Sequence, residues 1–178
     1  MTNDARIDWD RRWSEERDLP RSVPTWVAEL ADELPTTGRG LDVAAGAGRL
    51  AVYMARRGLD VEAVDISPVG LALAREAARD EGLKLKTVVR DLTQDGLPDG
   101  RYDLIACFHY RQSGLFDRLI DALNEGGLVL AEVELSATPE HSQPGELLRA
   151  CRDLRVVYYR EGRVGNRTLA RILARKPS

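Results

Sequence analysis

LDVAAGAGRL, residues 41–50, combines a short apolar strand, a glycine turn and the first residues of a helix. Gly46, Gly48 and Ala51 form a G-x-G-x-x-A pattern, which in dinucleotide-binding proteins places a pyrophosphate at the helix N-terminus. Asp42, however, ends the strand and puts a carboxylate beside the place where that phosphate would lie. The stretch therefore raises the question of whether this loop binds an anion or a cation.

Strand patterns and helix patterns alternate around this stretch. Apolar runs bounded by turn residues predict strands at 41–43, 61–66, 83–89, 102–107 and 128–133. Helical spacing predicts helices at 22–34, 50–57, 68–80, 115–123 and 144–150, with Ser22 and Ser67 as caps, Pro68 in a first turn and Gly126–Gly127 at an end. The runs 154–160 and 166–175 flank the glycine-containing stretch 161–165 and predict a hairpin. We therefore expect an α/β fold: a single doubly wound, Rossmann-like sheet of seven strands, mostly parallel with a C-terminal antiparallel hairpin, and helices on both faces.

The length and composition of the chain are typical of a globular protein. Its 178 residues are 43% hydrophobic and 31% charged, so we expect one domain over 1–178, with a helical arm at 1–38 that contributes to the pocket. The chain has no apolar run long enough for a bilayer and no signal-peptide core, which predicts a cytoplasmic location without membrane contact. The net charge of −3 disfavours general nucleic-acid binding. Cys107 and Cys151 lack metal-type spacing and are expected to be buried thiols.

Polar or aromatic residues follow four of the predicted parallel strands, at the sheet edge where such folds bind ligands. They are Asp42, Asp65, Asp91 and the turn 108–110. Asp65 lies about twenty residues after the glycine turn, where a carboxylate accepts the hydroxyls of a ribose. Ile66 suits one face of a base, and Asp91 with Leu92 suits its exocyclic amine. Because Asp42 would repel a pyrophosphate and attract an ammonium or sulfonium group, the sequence predicts a site for adenosine joined to a cation.

Five segments, in this order, resemble the class I S-adenosylmethionine-dependent methyltransferases. They are LDVAAGAGRLAVYMARRG (41–58), VEAVDISPVGLALAREAA (61–78), VVRDL (88–92), YDLIACFHY (102–110) and LNEGGLVLAEV (123–133). Within that superfamily the chain is most similar to the small tellurite-resistance-type and related methyltransferases, which share a WDRRW-like start and a short PGELL helix. The usual glycine loop of the superfamily is D-x-G-x-G-x-G, and Ala44 stands at its first glycine position here.

The resemblance implies that the methyl donor is S-adenosylmethionine and the product S-adenosylhomocysteine. The implied cofactor-binding residues are Asp42, Ala44, Gly46 and Gly48 at the methionine end, Asp65 at the ribose, Ile66, Asp91 and Leu92 at the adenine, and Phe108 along the cofactor. The implied substrate-facing residues are His109, Tyr110 and Arg111, together with Trp9, Trp13 and Glu132 or Glu134. We expect in-line methyl transfer to a small-molecule acceptor, either a thiol, a chalcogen oxyanion or a small metabolite, by a monomer or homodimer.

Other interpretations of these residues remain open. Asp42 could cap a neighbouring helix, and Asp91 could form a turn. Trp9 and Trp13 lie one helical turn apart, and we favour packing anchors over a substrate lid. The same glycine pattern also suits an NAD-dependent oxidoreductase, and a non-catalytic S-adenosylmethionine-binding module would need no base.

The catalytic roles depend on the acceptor. His109 is the best candidate for a general base, which is needed only if the acceptor must lose a proton. It could equally be a packing residue, whereas His141 lies in a polar loop and is expected to be solvated. Arg111 could hold an anionic acceptor.

Overall fold

The computed structural model describes residues 3–16, 22–136 and 142–178, in two compact units, Met1–Asp99 and Gly100–Ser178. The helices of the first unit are α1 (Asn3–Glu15), α2 (Thr25–Glu29), α3 (Arg49–Arg56) and α4 (Pro68–Asp80), with a 3-10 turn at Ala31–Glu33. Its strands are β1 (Arg39–Val43), β2 (Asp60–Asp65) and β3 (Lys86–Val89). These strands pair in parallel, β1 with β2 and β2 with β3, and α3 and α4 provide the two crossovers.

Local sequence signals explain where α4 begins and why α2 is short. The Ser67 hydroxyl accepts a hydrogen bond from Gly70 N at 3.0 Å, and Pro68 opens the helix, so both predictions for α4 are confirmed. The prediction of a helix over 22–34 with Ser22 as its cap is wrong. Pro24 occupies the cap position without a side-chain hydrogen bond, and the helix spans only Thr25–Glu29. The residue before a proline prefers an extended backbone, which keeps Ser22 and Val23 out of the helix.

The apolar face of α3 accounts for much of the first unit's core. Leu50, Ala51 and Met54 of this helix are buried, as are the β1 residues Leu41 and Val43. Helix α3 contacts β1, β2 and α4, while α1 packs against α4. This packing places the loop between β1 and α3 at the carboxyl end of β1, next to the start of α4.

The second unit contains two helices and four strands. The helices are α5 (Leu115–Ala122) and α6 (Glu146–Ala150), and the strands are β4 (Tyr102–Phe108), β5 (Leu123–Leu135), β6 (Arg155–Val164) and β7 (Arg167–Arg175). Strands β4 and β5 are parallel, whereas β7 pairs antiparallel with both β5 and β6. The order of the whole sheet is β3-β2-β1-β4-β5-β7-β6. The predicted α/β fold, a mostly parallel seven-stranded sheet with a C-terminal antiparallel hairpin and flanking helices, is confirmed.

Three predicted boundaries in this architecture are wrong. Helix α5 ends at Ala122, and Gly126–Gly127 lie inside β5 instead of ending the helix. Between the pairs Tyr102–Leu123 and Leu104–Leu128 the register shifts, and Gly126 has a φ of 74°, so these glycines form an irregularity that lets the strand start early. Strand β3 is shorter than predicted, and residues 161–164 belong to β6 instead of the turn.

No helix in the described parts of the chain is both long and apolar enough to cross a membrane.

Candidate active site

Asp65 ends β2, and two backbone N–H groups hold its carboxylate. Gly46 N donates to Oδ2 at 2.8 Å, and Ser67 N donates to Oδ1 at 2.8 Å. Burial raises the pKa of Asp65, the bonds from Ser67 and Gly46 act in the opposite direction, and the Asp10 carboxylate adds to the rise. Asp65 thus ties the end of β2 to the glycine loop. Each carboxylate oxygen has two lone pairs, so both can still accept from a ligand hydroxyl.

Asp42 caps helix α3 from within β1. It is 3% exposed, and its Oδ2 accepts a hydrogen bond of 2.8 Å from Ala51 N, in the first turn of α3. The capping role that the sequence left open is therefore present. Burial raises the pKa of Asp42 to about 7, while the bond from Ala51 lowers it and the neighbouring Asp65 raises it. At neutral pH the carboxyl carries only part of a negative charge, so it repels a phosphate less than the sequence suggests.

The glycine loop keeps its left-handed backbone although alanine stands at its first glycine position. Ala44 has a φ of 56°, next to values of 52° for Gly46 and 76° for Gly48. An L-residue with a side chain adopts this conformation at a cost of about 1–2 kcal/mol. A Cβ on Gly48 would lie 2.4 Å from Ala74 Cβ, so glycine is required there for close packing against α4. The loop is thus held in a strained, compact form by its surroundings.

Trp13 of α1 lies on the glycine loop. A Cβ on Gly46 would approach the Trp13 ring to 2.4 Å, and one on Gly70 would lie 3.0 Å from the indole Nε1. That indole N–H is buried without a hydrogen-bond partner in the described structure. Trp9 is 37% exposed and stacks on Trp13 with ring centroids 6.0 Å apart, so this pair is a surface stack over the loop and not part of the core.

A second contact fixes α1 beside Asp65. Ser67 Oγ donates to Asp10 Oδ1 at 2.5 Å, while it accepts from Gly70 N as the cap of α4. Asp10 also lies 3.6 Å from the Arg6 guanidinium. Sequence reasoning missed Asp10, because an aspartate in a charged helical segment gives no local sign of a distant serine partner.

Asp91 forms the turn that follows β3. Its Oδ1 accepts from Thr93 N at 2.9 Å and from Thr93 Oγ1 at 2.6 Å. The bond from the Thr93 hydroxyl is the main cause that lowers the pKa of Asp91. The turn role considered for Asp91 is therefore present, and an adenine role remains a prediction for it and for Leu92, which is buried. Ile66 is half-buried after β2.

In the second unit, a buried glutamate joins His109 to an arginine. Glu132 of β5 is 3% exposed; His109 Nε2 lies 3.2 Å from its Oε1, and Arg171 Nε of β7 donates to its Oε2 at 2.7 Å. His109 follows β4 with a φ of 56°, and its backbone N–H donates to Glu132 O at 2.8 Å. Sequence reasoning found His109 and named Glu132, but it missed Arg171, which pairs with them only through the β5–β7 register.

The residues beside His109 make contacts of their own. Tyr110 OH donates to Gln112 Oε1 at 3.2 Å, and Arg111 Nη2 lies 3.4 Å from Glu146 Oε1 of α6. The expected anion-binding arginine is therefore engaged with a surface carboxylate. Phe108 packs edge-on beside the His109 ring, with centroids 6.2 Å apart.

The other residues singled out in the sequence are Cys107, Cys151 and His141. Cys107 and Cys151 are buried free thiols, as predicted. His141 lies outside the described residues. Within the described parts of the chain, His, Cys, Asp and Glu side chains form no group that could hold a metal ion.

A segment that includes the glycine loop matches a known protein family. Residues 41–127 match the family described as "Methyltransferase domain". The ubiquinone biosynthesis O-methyltransferase of Acinetobacter baumannii (strain ACICU) is 36% identical over 106 residues, covering 56% of this chain and 43% of that protein. The glycine/sarcosine N-methyltransferase of Halorhodospira halochloris is 34% identical over 151 residues, covering 78% of this chain and 53% of that protein. The chain thus spans about half the length of these curated relatives.

Solved structures share the fold. TehB from Haemophilus influenzae superposes with a TM-score of 0.76 at 22% identity, covering 86% of this chain and 62% of that one. Magnesium protoporphyrin IX methyltransferase (ChlM) from Synechocystis PCC 6803, solved with bound SAH, gives a TM-score of 0.74 at 15% identity over 98% of this chain and 95% of that one. At these identities the likeness is one of fold.

Proposed function

This chain carries a class I S-adenosylmethionine-dependent methyltransferase domain, and from that premise we propose that it transfers a methyl group from S-adenosylmethionine to a small-molecule acceptor. The observation that carries the proposal is the arrangement of Asp65, whose carboxylate sits at the end of β2 and binds the glycine loop through Gly46 N. A carboxylate in this position accepts the hydroxyls of an adenosine ribose.

The surroundings of the loop fit the rest of such a donor. Gly46 has no Cβ, which lets the Trp13 ring lie directly on the loop, and the Trp13 indole N–H beside Gly70 has no acceptor in the described structure. A carboxylate at the methionine end of the donor would supply that acceptor. Asp42 and Ala44 border the same end, while Ile66, Asp91 and Leu92 follow the strands on the adenine side.

The charge of the site supports a cationic ligand. Asp42 and Asp65 are both buried, burial raises the pKa of each, and the Asp65 carboxylate further raises the pKa of Asp42, so a positive charge nearby would favour the ionised form of both. S-adenosylmethionine carries a sulfonium and an ammonium group, whereas NAD carries a pyrophosphate. An electron-deficient sulfonium methyl group is itself reactive, so the chain's residues have mainly to align donor and acceptor.

The second unit offers the groups proposed to face the acceptor, which are His109, Tyr110 and Arg111, while Phe108 is proposed to lie along the cofactor. Their chemistry suits a small polar molecule, because the cluster combines an imidazole, a phenol and a guanidinium. The named relatives act on oxygen and on nitrogen, which agrees with an acceptor of this kind.

Calorimetric titration with S-adenosylhomocysteine, and in parallel with NAD, tests the proposal. We expect wild type to bind S-adenosylhomocysteine and not NAD, and Asp65→Asn to weaken binding at least tenfold, since an amide replaces one ribose-accepting oxygen. Asp60→Asn is the matched control, because Asp60 is exposed at the opposite end of the same strand. Circular dichroism checks that each variant is folded.

Two other results would contradict the proposed methyltransferase activity. Binding of NAD without any heat from S-adenosylhomocysteine would overturn the proposal in favour of an oxidoreductase. Tight S-adenosylhomocysteine binding with no turnover across O–H, N–H, thiol and tellurite acceptors would favour a non-catalytic binding module.

A further inference from the structure

We propose that Glu132 and Arg171 are positioning residues that hold His109 as a general base, and that the methyl acceptor is consequently a hydroxyl or an amine that must lose a proton. This inference rests on the proposed methyltransferase function and names the acceptor class. It is carried by the geometry of one buried carboxylate and its two partners on neighbouring strands.

The three residues come together through strand register. Phe108 of β4 pairs with Glu132 of β5, and Glu132 pairs with Arg171 of β7. Residues directly opposite each other in paired strands share a face of the sheet, so the Arg171 and Glu132 side chains are neighbours. His109 follows Phe108 at the carboxyl end of β4 and so lies next to Glu132.

The backbone at His109 is bent to make this contact. Its φ of 56° is a left-handed conformation that non-glycine residues rarely adopt, and it costs about 1–3 kcal/mol. The bent backbone N–H donates to Glu132 O at 2.8 Å, while the ring Nε2 lies 3.2 Å from Glu132 Oε1. His109 thus contacts Glu132 through both its backbone N–H and its imidazole ring, and these two contacts fix the orientation of the ring.

Arg171 keeps the glutamate charged. Burial acts to raise the pKa of Glu132, but the hydrogen bonds from His109 and Arg171 outweigh it, so the pKa is lowered. Arg171 Nε donates to Oε2 at 2.7 Å, and its side chain is only 15% exposed, so this pair is shielded from solvent. Each oxygen of Glu132 therefore has one cationic or N–H partner.

An ionised carboxylate selects one tautomer of the histidine. Because Glu132 can only accept, the neutral ring must carry its proton on Nε2, which leaves the lone pair on Nδ1. The His109 side chain is 36% exposed, which leaves part of the ring open to a ligand. The imidazolium formed after proton uptake would be stabilised by the same carboxylate.

The proposed step combines a proton transfer to His109 with transfer of the methyl group. Nδ1 of His109 takes the proton from the acceptor's O–H or from its ammonium N–H⁺, and the electron pair freed on oxygen or nitrogen forms the new bond to the methyl carbon. The carbon–sulfur bond breaks with its electrons going to sulfur, which becomes a neutral thioether. A thiol depends less on such a base, since its pKa of about 8.5 leaves some reactive thiolate at neutral pH, and a chalcogen oxyanion already carries a negative charge.

Other charged groups near His109, Glu132 and Arg171 are either exposed or paired with a different residue. Arg160 of β6 lies opposite Arg171 and is exposed, and Glu134 of β5 lies 3.9 Å from Arg167. Arg111, two residues after His109, lies 3.4 Å from Glu146. Among the described residues of this unit, Glu132 is thus the acidic partner in contact with His109.

Nitrogen NMR of the histidine rings tests the positioning role without any turnover. The chain has two histidines, so the His141→Gln variant assigns the His109 signals. At pH 8 we expect Nε2 to be the protonated nitrogen and Nδ1 the unprotonated one in wild type. In Glu132→Gln we expect a mixture of tautomers, whereas Glu125→Gln, an exposed change on the same strand, should leave the spectrum unchanged.

Kinetics with chosen acceptors test the base. The probes are a catechol, glycine, 2-mercaptoethanol and tellurite, with S-adenosylhomocysteine formation as the signal. With catechol or glycine, His109→Gln should lower kcat by about 10²–10⁴-fold and remove the acidic limb of the pH–rate profile. Glu132→Gln should lower kcat for these two acceptors with little change in KM, and Arg171→Lys should have a smaller effect in the same direction.

Distinct outcomes would separate the two proposals. Absence of S-adenosylhomocysteine binding by wild type refutes the methyltransferase function, whatever the NMR spectrum shows. Binding with turnover of only 2-mercaptoethanol or tellurite, or an Nδ1-protonated ring in wild type, overturns the role of His109 alone. The wild-type spectrum decides the tautomer even if Glu132→Gln does not fold.

Discussion

Replacing Asp42 by asparagine should stabilise the ligand-free protein, and the gain should grow as the pH rises. Burial raises the pKa of Asp42 from 3.8 to about 7, so the folded chain holds this proton more tightly than the unfolded chain does. The stability that this carboxyl contributes is fully present below about pH 3.8 and is lost as the pH rises towards 7. Asparagine keeps an oxygen for the Ala51 N–H that caps α3, and it carries no charge to bury.

The size of the effect follows from the same values. The interval between 3.8 and about 7 spans about three powers of ten in proton affinity, or about 4 kcal/mol of unfolding free energy at alkaline pH. Between pH 5 and pH 8 the difference in unfolding free energy between Asp42→Asn and wild type should widen by about 2–3 kcal/mol.

Urea unfolding followed by circular dichroism at pH 5, 6, 7 and 8 measures this difference. Asp60→Asn, at the exposed start of β2, is the control and should show no widening with pH. A difference for Asp42→Asn that stays constant from pH 5 to 8, or shrinks, would falsify the reasoning, because the buried carboxyl would then carry no ionisation cost.

The same carboxyl should report the charge of the ligand. A cation that binds beside Asp42 favours its ionised form, so binding of S-adenosylmethionine near pH 7 should release a fraction of a proton. Calorimetry in two buffers of different ionisation enthalpy measures that release. Asp42→Asn should abolish this proton release. An unchanged release in the variant would mean that the cation does not bind beside Asp42.

Three further changes test the loop and the helix that covers it. Ala44→Gly should relieve the left-handed strain and stabilise by about 0.5–1 kcal/mol in urea unfolding, whereas the neighbouring Ala45→Gly should destabilise by a similar amount; equal effects would contradict the strain. Gly48→Ala should destabilise by at least about 2 kcal/mol in the same assay, since its Cβ would lie 2.4 Å from Ala74 Cβ, and a neutral result would refute that close packing. Trp13 lies on the loop, so S-adenosylhomocysteine should change the intrinsic fluorescence of wild type, and Trp13→Phe should remove most of that change. The control Trp9→Phe should retain it; a full signal in Trp13→Phe would mean that the indole is remote from the ligand.

Local signals in the sequence were sufficient to predict the helix and strand that border the glycine loop. Ser67 followed by Pro68 predicts the start of α4 because a hydroxyl cap and a ring-fixed φ act on adjacent residues. The interval from the glycines to Asp65 predicts that they meet, since one crossover separates them, and Gly46 N does donate to Asp65. Where tertiary contacts compete with local preference, the predictions failed: Gly126–Gly127 became part of β5 because Gly126 N and Gly127 O bond to Lys176 of the final strand's end.

The α/β fold, the glycine loop and the acidic residues at the strand ends could be predicted from the sequence, because each depends on spacing within one or two neighbouring elements. The contacts that those residues make, in contrast, follow from tertiary packing. Asp42 proved to be a buried helix cap with a raised pKa, and Trp13 a cover on the loop. The pairing of His109 and Glu132 with Arg171 likewise depends on strands distant in sequence. Burial and long-range pairing set the charge and orientation of these groups, and neither is encoded in the residues beside them.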